Sequence, residues 1–187
     1  MRAEYTPLPE LKAIVEECMP SLHEYQEMYK DLHQNPEVGL SESRTAGIAA
    51  QVLRRLDFKV IENIGGHGLV GVLDSKTPGR TVLLRADMDA LPINEQTCLQ
   101  YKSIKANIMH ACGHDMHLAC MLATAAFLKA AISKWSGIVI ILIQPNEEGG
   151  AGAQSMIDDG LYTKIPIPHV ILGMIFVISP CSVLTAI

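Results

Sequence analysis

The feature that most restricts the fold is residues 137–143, a run of Gly, Ile, Val, Ile, Ile, Leu and Ile without one polar side chain. A strand sends alternate side chains to opposite faces, so one that is apolar throughout must be covered on both. Its shortness and β-branched content favour a strand over a buried helix. Residues 58–64, 69–73 and 81–85 are similar runs, separated by Gly65-Gly66 and by Thr77-Pro78-Gly79, and read as strands joined by turns. Residues 169–174 look like one more strand.

Between these runs the spacing is helical. Leu11, Ile14, Val15 and Cys18, then Leu22, Tyr25, Met28, Tyr29 and Leu32, recur at three- and four-residue steps, with Pro20 ending one helix and opening the next. Ser43 reads as the N-cap of a helix over 44–56, in which Ile48, Val52 and Leu56 share a face. A long apolar helix is expected over 115–132, and a short one ending near Gly160. Helices alternating with apolar strands predict an α/β fold, a mixed and mostly parallel sheet with helices on both faces. Ligand sites in such sheets gather at the carboxyl ends of the strands.

Composition narrows the function classes. The 187 residues are 49% hydrophobic and 19% charged, enough to bury a core. A net charge of -5 and the lack of a Lys/Arg cluster argue against nucleic acid or a membrane surface as partner. Five cysteines at irregular spacing, with charge at Arg2 and Glu4 where a secretory leader needs an apolar run, predict a reducing, cytoplasmic location without disulfides. Residues 170–187 carry no charge, but Gly173, Ser179, Pro180 and Ser182 interrupt them, so a buried strand plus tail is expected rather than a membrane span.

Three polar clusters fall at strand ends. The densest runs from Met109 to His117 and packs His110, Cys112, His114, Asp115 and His117 into a loop entering a helix. Cys112 and His114, with glycine between them, can turn toward one ion, and their donor types suit zinc, cobalt, nickel or manganese better than calcium. His114 and His117, three apart, can share a helix face. The plain alternative is Asp115 capping the helix beside locally bonded histidines.

The second cluster, Gln144-Pro145-Asn146-Glu147-Glu148-Gly149-Gly150, follows the apolar strand. Adjacent carboxylates there allow one to bind a metal and the other to take a proton from water, whose pKa a metal lowers from roughly 16 toward 7. A solvated acidic loop is the alternative. In the third, Arg85-Ala86-Asp87-Met88-Asp89, either Asp87 or Asp89 orients a ligand histidine, or a salt bridge to Arg85 accounts for them equally well. The loop 149–152 lacks the Lys and Ser/Thr of a phosphate-binding loop.

In this order the blocks Leu32-His33-Gln34-Asn35-Pro36-Glu37, Leu84-Arg85-Ala86-Asp87-Met88-Asp89-Ala90-Leu91-Pro92-Ile93, Met109-His110-Ala111-Cys112-Gly113-His114-Asp115, Gln144-Pro145-Asn146-Glu147-Glu148-Gly149-Gly150 and Ile157-Asp158-Asp159-Gly160 resemble the metallopeptidase-type amidohydrolases. That family includes hippurate hydrolase, N-acyl-amino-acid amidohydrolases and auxin-conjugate hydrolases. The resemblance covers about residues 20–174. It implies two divalent metal ions, zinc or manganese, and hydrolysis of the amide bond of a small N-acyl amino acid substrate. Cys112, His114 and Glu148 would be metal ligands, Glu147 the catalytic base, and Asp87, Asp89 and Asp115 the groups that orient ligands. The family places a metal-binding His where Ile175 stands, and another beyond Ile187. Residues 1–174 are therefore expected to be the front of a catalytic domain lacking the lid or dimerisation domain by which full-length relatives form homodimers, and 175–187 a divergent apolar tail. The alternative is a non-catalytic, metal-binding or dimerising remnant.

Overall fold

The structure, a computed structural model, describes residues 9–174. Expectations for Ile175 and the tail 175–187 lie outside the described residues. Three helices come first, α1 (Pro9–Cys18), α2 (His23–Gln34) and α3 (Ser43–Arg55), followed by β1 (Lys59–Ile64), β2 (Gly68–Asp74) and β3 (Thr81–Asp87). The long helix α4 (His114–Ala130) leads to β4 (Ile138–Gln144), two short helices α5 (Gly152–Asp158) and α6 (Leu161–Lys164), and β5 (Val170–Gly173).

The strands form one mixed sheet in the order β1-β2-β4-β3-β5. β2 pairs antiparallel with β1 and β4, whereas β3 runs parallel to both β4 and β5. The apolar run lies in the middle strand, as two-sided burial requires. Val139, Ile141 and Ile143 enter the core that α2, α3 and α4 build with Leu32, Leu53, Leu118 and Leu122. Ile140 and Leu142 enter the second core, with Met156 of α5 and Leu161 of α6. Each fully buried side chain of this size contributes about 1.5–3 kcal/mol, so β4 is the main apolar anchor of the sheet.

Three local expectations need correction. Helix α2 restarts at His23 rather than at Pro20. Ser43 is already helical, and the caps of α3 come from Glu37, whose carboxylate accepts the backbone N–H groups of Arg44 (3.1 Å) and Thr45 (2.8 Å). Strand β5 is exposed rather than buried, with Ile171 and Leu172 at 55% and 56%. Among the described residues its one strand partner is β3.

Among the described residues no helix is long and apolar enough to cross a membrane, and Cys18, Cys98, Cys112 and Cys120 are free thiols.

Candidate functional site

The parallel register of β3 and β4 aligns Asp87 with Gln144, so both strands deliver their following loops to one end of the sheet. The loop after β3 is then fastened to the segment entering α4: Leu91 and Met109 each donate a backbone N–H to the other's carbonyl at 3.0 Å. This bridge carries residues 110–114 past Asp87 and Asp89. Gly113 turns the chain with φ 80, a left-handed conformation that costs most residues about 1 kcal/mol, and sets Cys112 and His114 on either side of the turn. The loop after β4 is held from behind. Buried Glu42 accepts the backbone N–H of Asn146 at 2.7 Å, and Asn146 is itself left-handed at φ 47.

His114, the first residue of α4, stands at the centre of the cluster. Its Nδ1 lies 2.8 Å from the carbonyl of Asp89, so Nδ1 carries the proton and donates it, and in the neutral ring the Nε2 lone pair is left free. Around Nε2 stand Asp87 Oδ2 at 3.6 Å, Glu147 Oε2 at 3.6 Å and Glu148 Oε1 at 4.0 Å. Cys112 hydrogen-bonds the Glu148 carboxylate. Two sets of donor atoms, Asp87 with His114 and His117, and His114 with Glu147 and Glu148, each fit within 4.8 Å.

The electrostatics of these groups fit a cation. The hydrogen bond to Glu148, then burial and the charges of Glu148, Glu147 and Asp87, push the Cys112 thiol up to about 12. Burial would lower His114, yet Asp89 and Asp87 raise it above the ordinary histidine value. Burial would raise Asp87, but the His117 bond and the charges of His114 and Arg85 hold it below the usual carboxylate range. A cluster whose field disfavours a thiolate and attracts protons is one that a divalent ion would neutralise, and its thiol, imidazole and carboxylate groups are donor types that metal sites use.

Asp89 and Asp87 divide the positioning. Asp89 Oδ1 lies 3.3 Å from His114 Nδ1, and Oδ2 accepts the backbone N–H of Glu148 at 2.9 Å, which ties the imidazole to the acidic loop. Asp87 Oδ1 lies 2.7 Å from His117 Nδ1, and Oδ2 accepts from Arg85 Nη1 at 2.7 Å. Both sequence alternatives, histidine orientation and salt bridge, are therefore present at Asp87. The His114 and His117 rings stack at 5.6 Å, as their spacing on one helix face allows, but the place of His117 beside Asp87 depends on a partner 30 residues away.

Asp115 takes a different path. Its Oδ1 accepts the N–H of Met116, and its Oδ2 lies 2.6 Å from Nδ1 of buried His33, whose Nε2 is 3.2 Å from Glu95. The Asp115 hydrogen bond, opposed by burial and reinforced by Glu95, raises His33 above its ordinary value of 6.5. The folded chain thus holds this proton more tightly than the unfolded chain does. The resulting stability is full below about pH 6.5 and is lost as pH rises through the raised folded value. The urea midpoint is expected to fall on going from pH 6 to pH 9, and the fall to shrink in His33→Gln; an equal fall in both would remove His33 as the cause.

Residues 83–185 match peptidase family M20/M25/M40. The chain is 42% identical over 157 residues to the hippurate hydrolase of Campylobacter jejuni, covering 84% of itself and 40% of that protein. It is 37% identical over 134 residues to an IAA-amino acid hydrolase of Arabidopsis thaliana, covering 72% of itself and 31% of that protein. A crystal structure of a dinuclear metal binding peptidase from Bacillus subtilis superposes with a TM-score of 0.76 at 31% identity, over 88% of this chain and 43% of that one. The chain thus spans well under half the length of these relatives. With a family match over more than half its length, the chain belongs to peptidase family M20/M25/M40.

Proposed function

We propose that the chain is the front part of an amidohydrolase catalytic domain acting on N-acyl amino acids, with Cys112, His114 and Glu148 as metal ligands and Glu147 as general base. The observation that carries this reading is the gathering of Asp87, Glu147 and Glu148 around one nitrogen of His114. The names of the relatives support the substrate class, since hippurate and an IAA-amino acid are both acylated amino acids. Cys112, His114 and Glu148 would hold divalent metal, two ions of zinc or manganese type by the donor set, which would supply Lewis acidity at the scissile carbonyl and toward the attacking water.

The protein groups do the rest. Glu147, with its side chain 40% exposed, accepts a proton from that water as the water oxygen bonds to the carbonyl carbon. It then returns the proton to the amide nitrogen as the C–N bond breaks, which regenerates the carboxylate. Asp89 keeps the His114 tautomer and the Glu148 backbone in place, while Asp87 steadies His117. The same reading puts the protein in the cytoplasm and gives its longer relatives a dimerising lid.

A second reading, a metal-binding chain that pairs with another subunit without turnover, draws on the exposed apolar edge at Val170, Ile171 and Leu172. One experiment separates the two. The purified chain is loaded with zinc or manganese, its bound metal is counted, and free amino acid released from N-acetyl, N-benzoyl and indole-3-acetyl conjugates is measured. Bound metal with release is the expected result. Bound metal without release from any conjugate leaves only the second reading, and failure to bind metal removes both.

A further inference from the structure

The segment between α2 and α3 touches both strand-end loops of the candidate site. The carbonyl of Glu37 accepts the backbone N–H of Ala90 at 2.8 Å, and Val38 pairs in parallel with Ala90, which follows Asp87 and Asp89. Further on, Glu42 Oε1 accepts the backbone N–H of Asn146 at 2.7 Å, and Asn146 directly precedes Glu147 and Glu148. Gly39 closes on the side chain of the same residue, since a Cβ on Gly39 would stand 2.2 Å from Asn146 Oδ1. The segment is itself held in shape. The Glu37 carboxylate accepts hydrogen bonds from Arg44 and Thr45, and Ser41 donates its N–H to the Val38 carbonyl at 3.0 Å.

Packing alone does not account for Glu42. It is 0% exposed, and its Oε2 has no partner among the described residues. A buried carboxyl group with one oxygen unpaired lowers stability, whereas a methionine fills a similar space without that penalty. What Glu42 supplies beyond filling space is an acceptor for Asn146. On either side of that bond stand Leu40 (φ 69) and Asn146 (φ 47), both left-handed without being glycine. Such strained backbone persists only where its surroundings impose it, and it gathers at functional sites.

We infer that residues 37–42 brace the two loops at a fixed separation, and that Glu42 is a positioning residue for the Glu147–Glu148 pair. Through Asn146 it sets how far the two carboxylates stand from His114 Nε2, 3.6 and 4.0 Å here. The inference rests on the amidohydrolase reading for what the pair does, while the brace itself is a property of the metal-free chain.

The test compares Glu42→Met, which keeps the length and removes the acceptor, with Glu42→Gln, which keeps the acceptor. In the metal-free 187-residue chain, hydrogen exchange is read at the backbone N–H of Glu148, which bonds Asp89 and not Glu42, against that of Ile141 in the middle of β4. Glu42→Met is expected to raise the Glu148 rate about tenfold relative to Ile141, and Glu42→Gln to return the ratio to that of wild type. A merely structural role would instead lower the urea midpoint and speed both amides alike.

Cobalt(II) is then titrated into the same chains, with binding followed by the thiolate-to-cobalt absorption that ligation by Cys112 gives. Glu42→Met is expected to weaken cobalt by about 10- to 100-fold, the usual effect of losing a group that orients a metal ligand, and Glu42→Gln to restore it. An unchanged exchange ratio or unchanged cobalt affinity in Glu42→Met overturns the brace, as does a loss in Glu42→Gln as large as that in Glu42→Met. A wild-type chain that binds no cobalt removes the metal-site reading, and the exchange ratio then decides the brace by itself.

Discussion

In Glu147→Gln, release of amino acid from an N-acyl conjugate is expected to fall by about 10²- to 10⁴-fold, the usual range for removing a general base. Bound metal and the unfolding midpoint are expected to stay at their wild-type values. The difference follows from how the two neighbouring glutamates are held. Glu147 is half open to solvent, and the hydrogen bond that shapes its turn uses its backbone carbonyl, which accepts from Gly150 at 2.8 Å and is untouched by the substitution. Glutamine keeps the volume and loses only the capacity to accept a proton from water.

Glu148 is tied through its backbone to Asp89 and through its carboxylate to Cys112, so Glu148→Gln is expected to lose metal along with activity. Rates and metal content measured on the same preparations check both statements. If Glu147→Gln keeps more than roughly a tenth of wild-type turnover, another group is the base.

The largest expected structural effect comes from the smallest change, Gly152→Ala. Gly152 is buried and begins α5, where alanine should help by about 1 kcal/mol on helix propensity. A Cβ at this position, however, would lie 1.6 Å from the carbonyl oxygen of Pro145 and 2.8 Å from its carbon. These are backbone atoms, so no rotamer change relieves the contact, and overpacking of this kind costs about 3 kcal/mol. A net loss of about 2 kcal/mol is expected in urea unfolding. Moving Pro145 also moves the loop that presents Glu147 and Glu148, so metal affinity should fall with stability. A variant with wild-type midpoint and wild-type metal affinity would show that the loop accommodates the methyl without shifting.

Legibility in the sequence followed the range of the interaction. β4 was plain because two-sided burial leaves its mark in seven consecutive residues, and α4 was plain for a similar reason. The Cys112-Gly113-His114 turn and the Glu147-Glu148 pair were visible because their donors are adjacent. The helix α3 cap was misassigned because Ser43 offers a local signal while the groups that accept its N–H donors belong to Glu37, across an intervening loop. The roles of Glu42 behind Asn146 and of His33 against Asp115 had no local trace, since each joins segments more than 80 residues apart. β5 reads as buried because its residues are apolar, but burial depends on what packs over it, and all four of its residues are exposed.

The strand order has a consequence for how the molecule comes together. β2 and β3 are neighbours along the chain, but β4, made much later, occupies the slot between them. Until residues 138–144 arrive, β2 and β3 have no common partner, and the apolar faces of α2, α3 and α4 have only an unfinished surface to cover. Closing such a gap means paying the entropy of a long loop before any contact rewards it, which makes acquisition of the native state slow and leaves greasy surface open in the meantime. During synthesis on the ribosome the segment before residue 138 therefore holds an open sheet until its central strand is delivered.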